Sequence, residues 1–301
     1  MKRLKYAMFC CILGLWGMVS SAGAGEVVDD FGKSFDLVSP PMRVVSLAPS
    51  NTELLFALGL GDRVVGITEY CNFPAETAAI EKVAGFNTVN LEKIAAAKPD
   101  LVVAIRGNDM ESLRSLRQLG IPVFSLDIQT LEQMGSALER LGALLGVEPR
   151  AKQLADSLNA RIQAVRLRVG KVDAQPKTMW GFWGDPVYTA GSDTMIDDVI
   201  AQAGGRNVGR QADGSWPQVG LETIVMWAPE VIITTHIPGG VENLPGEIER
   251  LRLTDGWKQL PAVKNGRIYF VEGDWLLRPG PRLVDALEAM ARQLHPQTLS
   301  P

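Results

Sequence analysis

The nonapeptide Phe86-Asn-Thr-Val-Asn-Leu-Glu-Lys-Ile94 returns 130 residues later as Trp216-Pro-Gln-Val-Gly-Leu-Glu-Thr-Ile224. The register runs on without a gap from Pro99-Asp-Leu-Val-Val103 to Pro229-Glu-Val-Ile-Ile233. Stacked repeats recur every 20 to 50 residues or so, which excludes a solenoid and leaves two related halves. Each copy supplies an aromatic in a loop, a short helix with Glu92 or Glu222 in its first turn, and a Pro-acid step into a strand. Carboxylates at helix starts are favoured by the helix dipole, so capping by itself accounts for the glutamates. It does not account for the paired aromatics. Two equivalent loops facing each other across a cleft would set Phe86 and Trp216 on opposite walls.

Short β-branched runs alternating with helical stretches mark both halves as α/β units on largely parallel sheets. The first half is expected to hold strands at Arg43–Leu47, Val64–Thr68, Leu101–Ile105 and Val123–Leu126. Between them fall helices at Thr52–Leu58, opened by a Ser50/Glu53 capping box, at Leu91–Ala97, at Met110–Leu119, and from Leu131 behind a Thr130/Gln133 cap. From Pro149 to Val169 there is no internal Gly or Pro, which predicts a helix of about 30 Å able to bridge two lobes. The pattern then restarts, with strands near Thr178–Trp183, at Val231–Thr235 and Arg267–Val271, and helices near Thr194–Ala203 and at Arg282–Leu294. The expected architecture is therefore two similar α/β lobes, residues 25–147 and 172–301, joined by one long rigid helix over 148–171. A length of 301 residues, near the limit of a single core, agrees with two lobes.

The first 24 residues read as an export signal: Lys2, Arg3 and Lys5, an apolar run from Tyr6 to Val19, and a small-residue site at Ala22-Gly23-Ala24. The run is too short to span a bilayer, and cleavage after Ala24 is expected. Cys10 and Cys11 lie inside it, neither behind a small residue, so a lipid anchor is not expected. The mature chain then keeps one cysteine, Cys71, a buried small hydrophobe in this reading, and no intrachain disulfide is possible. Losing three basic residues leaves 27 Lys and Arg against 34 Asp and Glu, a net charge of about −7 that argues against nucleic acid or an anionic membrane as partner.

All six tryptophans of the mature chain follow residue 179. Trp227 and Trp257, next to helix ends with apolar neighbours, read as core. The loops Gly181-Phe182-Trp183-Gly184-Asp185-Pro186 and Asp274-Trp275-Leu276-Leu277-Arg278-Pro279-Gly280-Pro281 instead present rings suited to stacking on a flat ligand. Catalytic chemistry is thinly provided. Only two histidines occur, His236 in a loop behind a strand and His295 in an apparently exposed tail, and no multi-histidine or Cys/His metal site can be built from them. No P-loop, Gly-x-Ser-x-Gly elbow or dinucleotide fingerprint is present. Arg106-Gly107-Asn108-Asp109, also behind a strand, reads as a solvated loop with some reach toward a cleft.

Val44-Val-Ser-Leu-Ala-Pro-Ser-Asn-Thr-Glu53, Tyr70-Cys-Asn-Phe-Pro74, and Leu91-Glu92 followed by Lys98-Pro-Asp-Leu101 resemble the periplasmic substrate-binding proteins of ABC importers for cobalamin and ferric siderophores. Over nearly all of the mature chain it looks like this class of two α/β lobes on one helical backbone. Trp216-Pro-Gln-Val219 and Asp274-Trp275 with Arg278 and Pro281-Arg282 are similar to the cobalamin branch in particular, which carries tryptophan where Phe86 and Ile105 stand here. The resemblance implies that Tyr70, Phe86, Phe182, Trp183 and Trp216 pack around a corrin and that Asp274 and Arg278 hydrogen-bond its amides. It further implies that Glu92 and Glu222 dock onto a dimeric inner-membrane permease, whose twofold symmetry suits a paired feature. On this reading the protein is a periplasmic monomer without catalysis, resident metal or cofactor, the cobalt belonging to its cobalamin ligand. A ferric siderophore or haem binder of the same fold, drawing on Arg106, Arg206, Arg210 and Arg278 or on Tyr70 or His236, is the alternative; an exported hydrolase working in the cleft is a remoter one.

Overall fold

Five short runs, nearly all apolar, lie side by side in the first half of the chain, buried on both faces as parallel strands between helix layers must be. A computed structural model describes residues 26–85, 88–182, 186–235 and 244–298, without the side chains of Phe182 and Leu244. The expected export signal with Cys10 and Cys11 lies outside the described residues, as do Phe86, Trp183 and His236. The first sheet is entirely parallel, in the order Lys82–Ala84, Val64–Thr68, Val44–Ser46, Leu101–Ile105, Val123–Leu126. Strand order reverses at Val44–Ser46. Such a reversal opens a crevice beyond the carboxyl ends of the strands, the usual ligand position in doubly wound sheets.

The second sheet is built around Lys177–Phe182, parallel to Val231–Thr235 on one side and to Arg206–Asn207 on the other; Val231–Thr235 is in turn parallel to Ile268–Val271. Its far half turns antiparallel, since Val187–Thr189 folds back onto Gly181 and Phe182 and Gln218–Val219 pairs with that return strand. The two lobes thus share their parallel cores and differ at this edge.

Between the sheets runs the helix Glu148–Val169, 22 residues and about 33 Å long, with Pro149 in its first turn where a missing N–H costs nothing. Its buried residues Ala151, Ala155, Leu158, Ile162 and Val165 recur every three or four positions and form one apolar stripe. Near its start it packs closely on the helix Leu131–Leu145: a Cβ on Gly142 would overlap Ala151. Near its end Arg161 reaches Asp285 at 2.6 Å and Glu288 at 2.8 Å on the last helix, Leu283–Leu294. One apolar cluster continues from Leu54 and Phe124 through Leu141, Leu158 and Ile162 to Ile196, Val199 and Leu287, crossing from lobe to lobe. Asp198 of the second lobe adds a hydrogen bond at 2.8 Å to the Leu131 N–H. Among the described residues no helix is long and apolar enough to cross a membrane.

Two local expectations need correction. The first helix spans Pro49–Ala57 behind Ala48, with no side-chain cap; Ser50 and Glu53 are buried within it, and Glu53 serves a different purpose described below. His295 is not an exposed tail residue. It is 6% exposed at the end of the last helix, its Nε2 3.2 Å from the Gly204 carbonyl. Trp227 and Trp257 do lie in the core of the second lobe.

Burial holds the His295 pKa below its ordinary value of 6.5, so the unfolded chain takes up this proton first as pH falls. The contribution of the neutral imidazole is therefore complete above about pH 6.5 and is lost as pH drops through the lower folded-state value. Urea titrations between pH 8 and 5 should show this decline, and His295→Asn should flatten it; an unchanged slope in the variant would assign the decline to other groups.

Candidate functional site

Among the described residues singled out as ligand contacts, Tyr70, Asp274 and Arg278 follow the carboxyl ends of parallel strands in sequence, whereas Trp216 precedes the antiparallel strand Gln218–Val219. Tyr70 and Asn72 follow Val64–Thr68, and position 86 follows Lys82–Ala84. Position 183 follows Lys177–Phe182, position 236 follows Val231–Thr235, and Asp274 and Arg278 follow Ile268–Val271. The two carboxyl edges meet directly, because Asn72 Nδ2 donates to Asp274 Oδ2 at 3.1 Å across 202 positions of sequence. Asp274 lies in the first turn of a one-turn helix, Gly273–Leu276, four positions before Arg278.

At the base of this junction lies a buried carboxylate. Glu53, whose side chain is 2% exposed, accepts from Arg282 Nη2 at 2.6 Å and Nε at 2.9 Å, the two-pronged geometry that suits guanidinium and carboxylate planes. Arg278 Nη1 approaches the same carboxylate at 3.6 Å. The Arg282 guanidinium also lies over the Phe73 ring, 4.0 Å from its centroid. Burial works against charge on Arg282, and the hydrogen bonds and charge of Glu53 outweigh it, so its pKa stands above the ordinary arginine value. The glutamate that reads locally as half of a capping box is thus a tie between lobes.

Above the tie, Arg278 Nη2 pairs with Asp274 Oδ1 at 2.8 Å, Nη1 donates to Asn72 Oδ1 at 2.6 Å, and Nη2 reaches the Tyr70 carbonyl at 3.3 Å. Together with the Asn72–Asp274 bond this closes a ring in which both ends of a primary carboxamide are held, its oxygen by a cation and its nitrogen by an anion. A neutral group that both donates and accepts meets both demands, a primary carboxamide among them. A carboxylate would repel Asp274, and an ammonium would repel Arg278. The family resemblance pointed to Asp274 and Arg278; Asn72 was not singled out, although it sits in the Tyr70–Pro74 motif.

The loop bearing Tyr70 and Asn72 is pinned by Cys71. The thiol is buried, its sulfur accepts from Thr52 Oγ1 at 3.1 Å, and Thr68 Oγ1 lies 3.2 Å away. Tyr70 is 50% exposed. Trp216 is 53% exposed and meets the buried Trp180 edge to face, with centroids 6.0 Å apart and planes at 73°, so one face of a large ring is supported and the rest is open. Phe182 ends its strand, and Trp275 packs against the core.

Three of the four arginines considered for an anionic chelate have other work. Arg106 pairs with Asp127, Arg210 with the buried Asp197 at 2.6 Å, and Arg278 belongs to the ring above. Arg206 pairs in register with Lys177, at the opening residue of its strand and so at the edge away from the cleft. Glu92 and Glu222 are exposed in the first turns of Leu91–Ala96 and Leu221–Trp227. Capping there falls to the Asn90 side chain in one copy and to no side chain in the other. Neither glutamate makes a hydrogen bond or ion pair among the described residues.

Comparison with known proteins gives the family and the fold. The model of the periplasmic binding protein family matches residues 44–274. A vitamin B12-binding protein of Photorhabdus laumondii is 33% identical over 263 residues, covering 87% of this chain and 91% of the relative. The crystal structure of the periplasmic vitamin B12 binding protein BtuF of Vibrio cholerae superposes with a TM-score of 0.75 at 30% identity, covering 85% of this chain and 97% of that one. The periplasmic haem-binding protein RhuT of Roseiflexus, in its apo form, matches with a TM-score of 0.75 at 26% identity over 86% and 98%.

Removing the Glu53 carboxylate leaves Arg282 part-buried without its partner. Glu53→Leu should therefore cost about 3 kcal/mol in chemical denaturation, and Glu53→Leu with Arg282→Leu should recover most of that loss. Equal losses in the single and double variants would show that the pair is not coupled.

Proposed function

The chain belongs to the periplasmic binding protein family, whose members bind and hand on substrates instead of transforming them, and from that premise we propose that it captures cobalamin or a related corrinoid in the interlobe cleft and delivers it to an ABC permease of the inner membrane. The observation that carries the proposal is the carboxamide held between Asp274 and Arg278. A corrin is rimmed with primary carboxamides and presents a broad flat ring, so its edge suits this pair and its faces suit aromatics such as Tyr70 and Trp216, with Phe86, Phe182 and Trp183 as further candidates. Haem presents carboxylates at its edge, and Asp274 opposes them. Anionic ferric chelates call for free arginines, and in this cleft Arg278 is already paired. Relatives of about one-third identity named for vitamin B12 binding support the same choice.

On this reading the protein is exported, works in the periplasm as a monomer and adds no chemistry of its own. The cleft edges are already in contact and a continuous core crosses both lobes, so binding spends little free energy on ordering the site. Glu92 and Glu222, at equivalent positions of the repeat and unpaired among the described residues, would present one carboxylate from each lobe to a permease that repeats the same basic patch about its twofold axis.

Calorimetric titration of residues 25–301 with cyanocobalamin, haemin and a ferric hydroxamate should show one-to-one sub-micromolar binding of cyanocobalamin alone. Trp216→Ala should weaken that binding by about 1 to 3 kcal/mol, as loss of an aromatic anchor does. Heat from haemin or the hydroxamate in place of cyanocobalamin would overturn the ligand assignment. Glu92→Arg with Glu222→Arg should leave affinity intact and abolish stimulation of transport in vesicles containing the permease; retained stimulation would reject the docking role.

A further inference from the structure

The ring at the cleft holds more than a description of what a ligand needs, because the amide it grips belongs to the protein itself. We propose that Asn72 is a built-in stand-in for the ligand, its carboxamide occupying the subsite that a ligand carboxamide takes over on binding; this rests on the corrinoid reading given above. Asn72 is exposed in its loop, so its side chain has open solvent to move into. Arg278 does not depend on it for position, since Glu53 Oε1 lies 3.6 Å from Nη1, the Tyr70 carbonyl 3.3 Å from Nη2, and Asp274 2.8 Å from Nη2. The receiving pair therefore stays assembled while its occupant changes.

An exchange of one amide for another has a particular energetic form. The bonds to Asp274 and Arg278 are broken and remade like for like, so a matching ligand gains little net affinity from them. A ligand that lacks the amide loses far more, because an apolar group leaves the carboxylate and guanidinium unpaired and a carboxylate adds repulsion. The subsite discriminates without tightening, and affinity is left to the aromatic surfaces. The same bonds tie the Tyr70–Pro74 loop of one lobe to Gly273–Arg278 of the other in the empty protein, so Asn72 also stabilises the unliganded form at the expense of binding.

Asn72→Ala separates these effects. Calorimetry should show cyanocobalamin binding about three- to tenfold tighter in the variant, as expected when a competing occupant is removed. The melting temperature should fall for the free variant and stay at the wild-type value for the cobalamin-saturated one. A weaker or unchanged dissociation constant would overturn the proposal, as would an equal fall in both melting temperatures, which marks a purely structural residue. If wild-type protein does not bind cyanocobalamin, the corrinoid reading fails and Asn72 is judged separately. Propionamide in large excess should then move the Asn72 side-chain NH2 resonances toward their solvent-exposed positions while propionate does not. Resonances indifferent to propionamide would end the proposal in that case too.

Discussion

Everything in this molecule hangs on the apolar stripe of the helix Glu148–Val169. Its buried residues, Ala151 to Val165, are small at the end where the neighbouring helix comes close and larger toward the last helix. A linker of loop would have left the two sheets free to reorient. A helix whose side chains belong to a core reaching both lobes fixes the carboxyl edges of those sheets against each other. The cleft is consequently a place defined largely by packing far from it, which leaves the loops that furnish it able to carry polar and aromatic groups.

Polar ties then set the register that packing leaves coarse. Glu53, Arg282 and Arg278 form a buried charge group whose desolvation is offset only because the geometry is two-pronged and both arginines converge on one carboxylate. Such groups rarely add much stability in balance. They penalise every arrangement in which a partner is missing, which is a way of specifying one relation between the lobes out of many that apolar contact alone would tolerate.

Much of the scaffold was legible in the sequence because each βα unit is an apolar run closed by glycine or a cap. Val64–Thr68, Leu101–Ile105, Val123–Leu126 and Val231–Thr235 fall where the runs place them, and Thr130 and Thr194 cap the helices they precede. The two-residue pairings Val27–Val28 with Ser34–Phe35, and Gln218–Val219 with its neighbour, are too short to show a period. Ser50 and Glu53 misled because the spacing of a capping box is shared with any buried polar pair on a helix, and the true partner of Glu53 lies 229 positions away. Asn72 escaped notice for a related reason: its chemistry exists only once Asp274 and Arg278 are brought to it by the fold. His295 looked peripheral because it stands six residues from the chain end, where the packing of the last helix against Gly204 is invisible.

The continuous core has one more consequence, for how the protein comes apart. Apart from Trp16, every tryptophan sits in the second half of the chain, so their emission samples one lobe only. In a protein of two independent lobes such a probe would be blind to the other. Here the shared cluster couples them, and loss of order in the first lobe strips the bridging helix of part of its burial. Unfolding followed through indole fluorescence should therefore coincide with unfolding followed by far-ultraviolet dichroism of the whole chain, a single cooperative melt from a molecule that looks, in outline, like two.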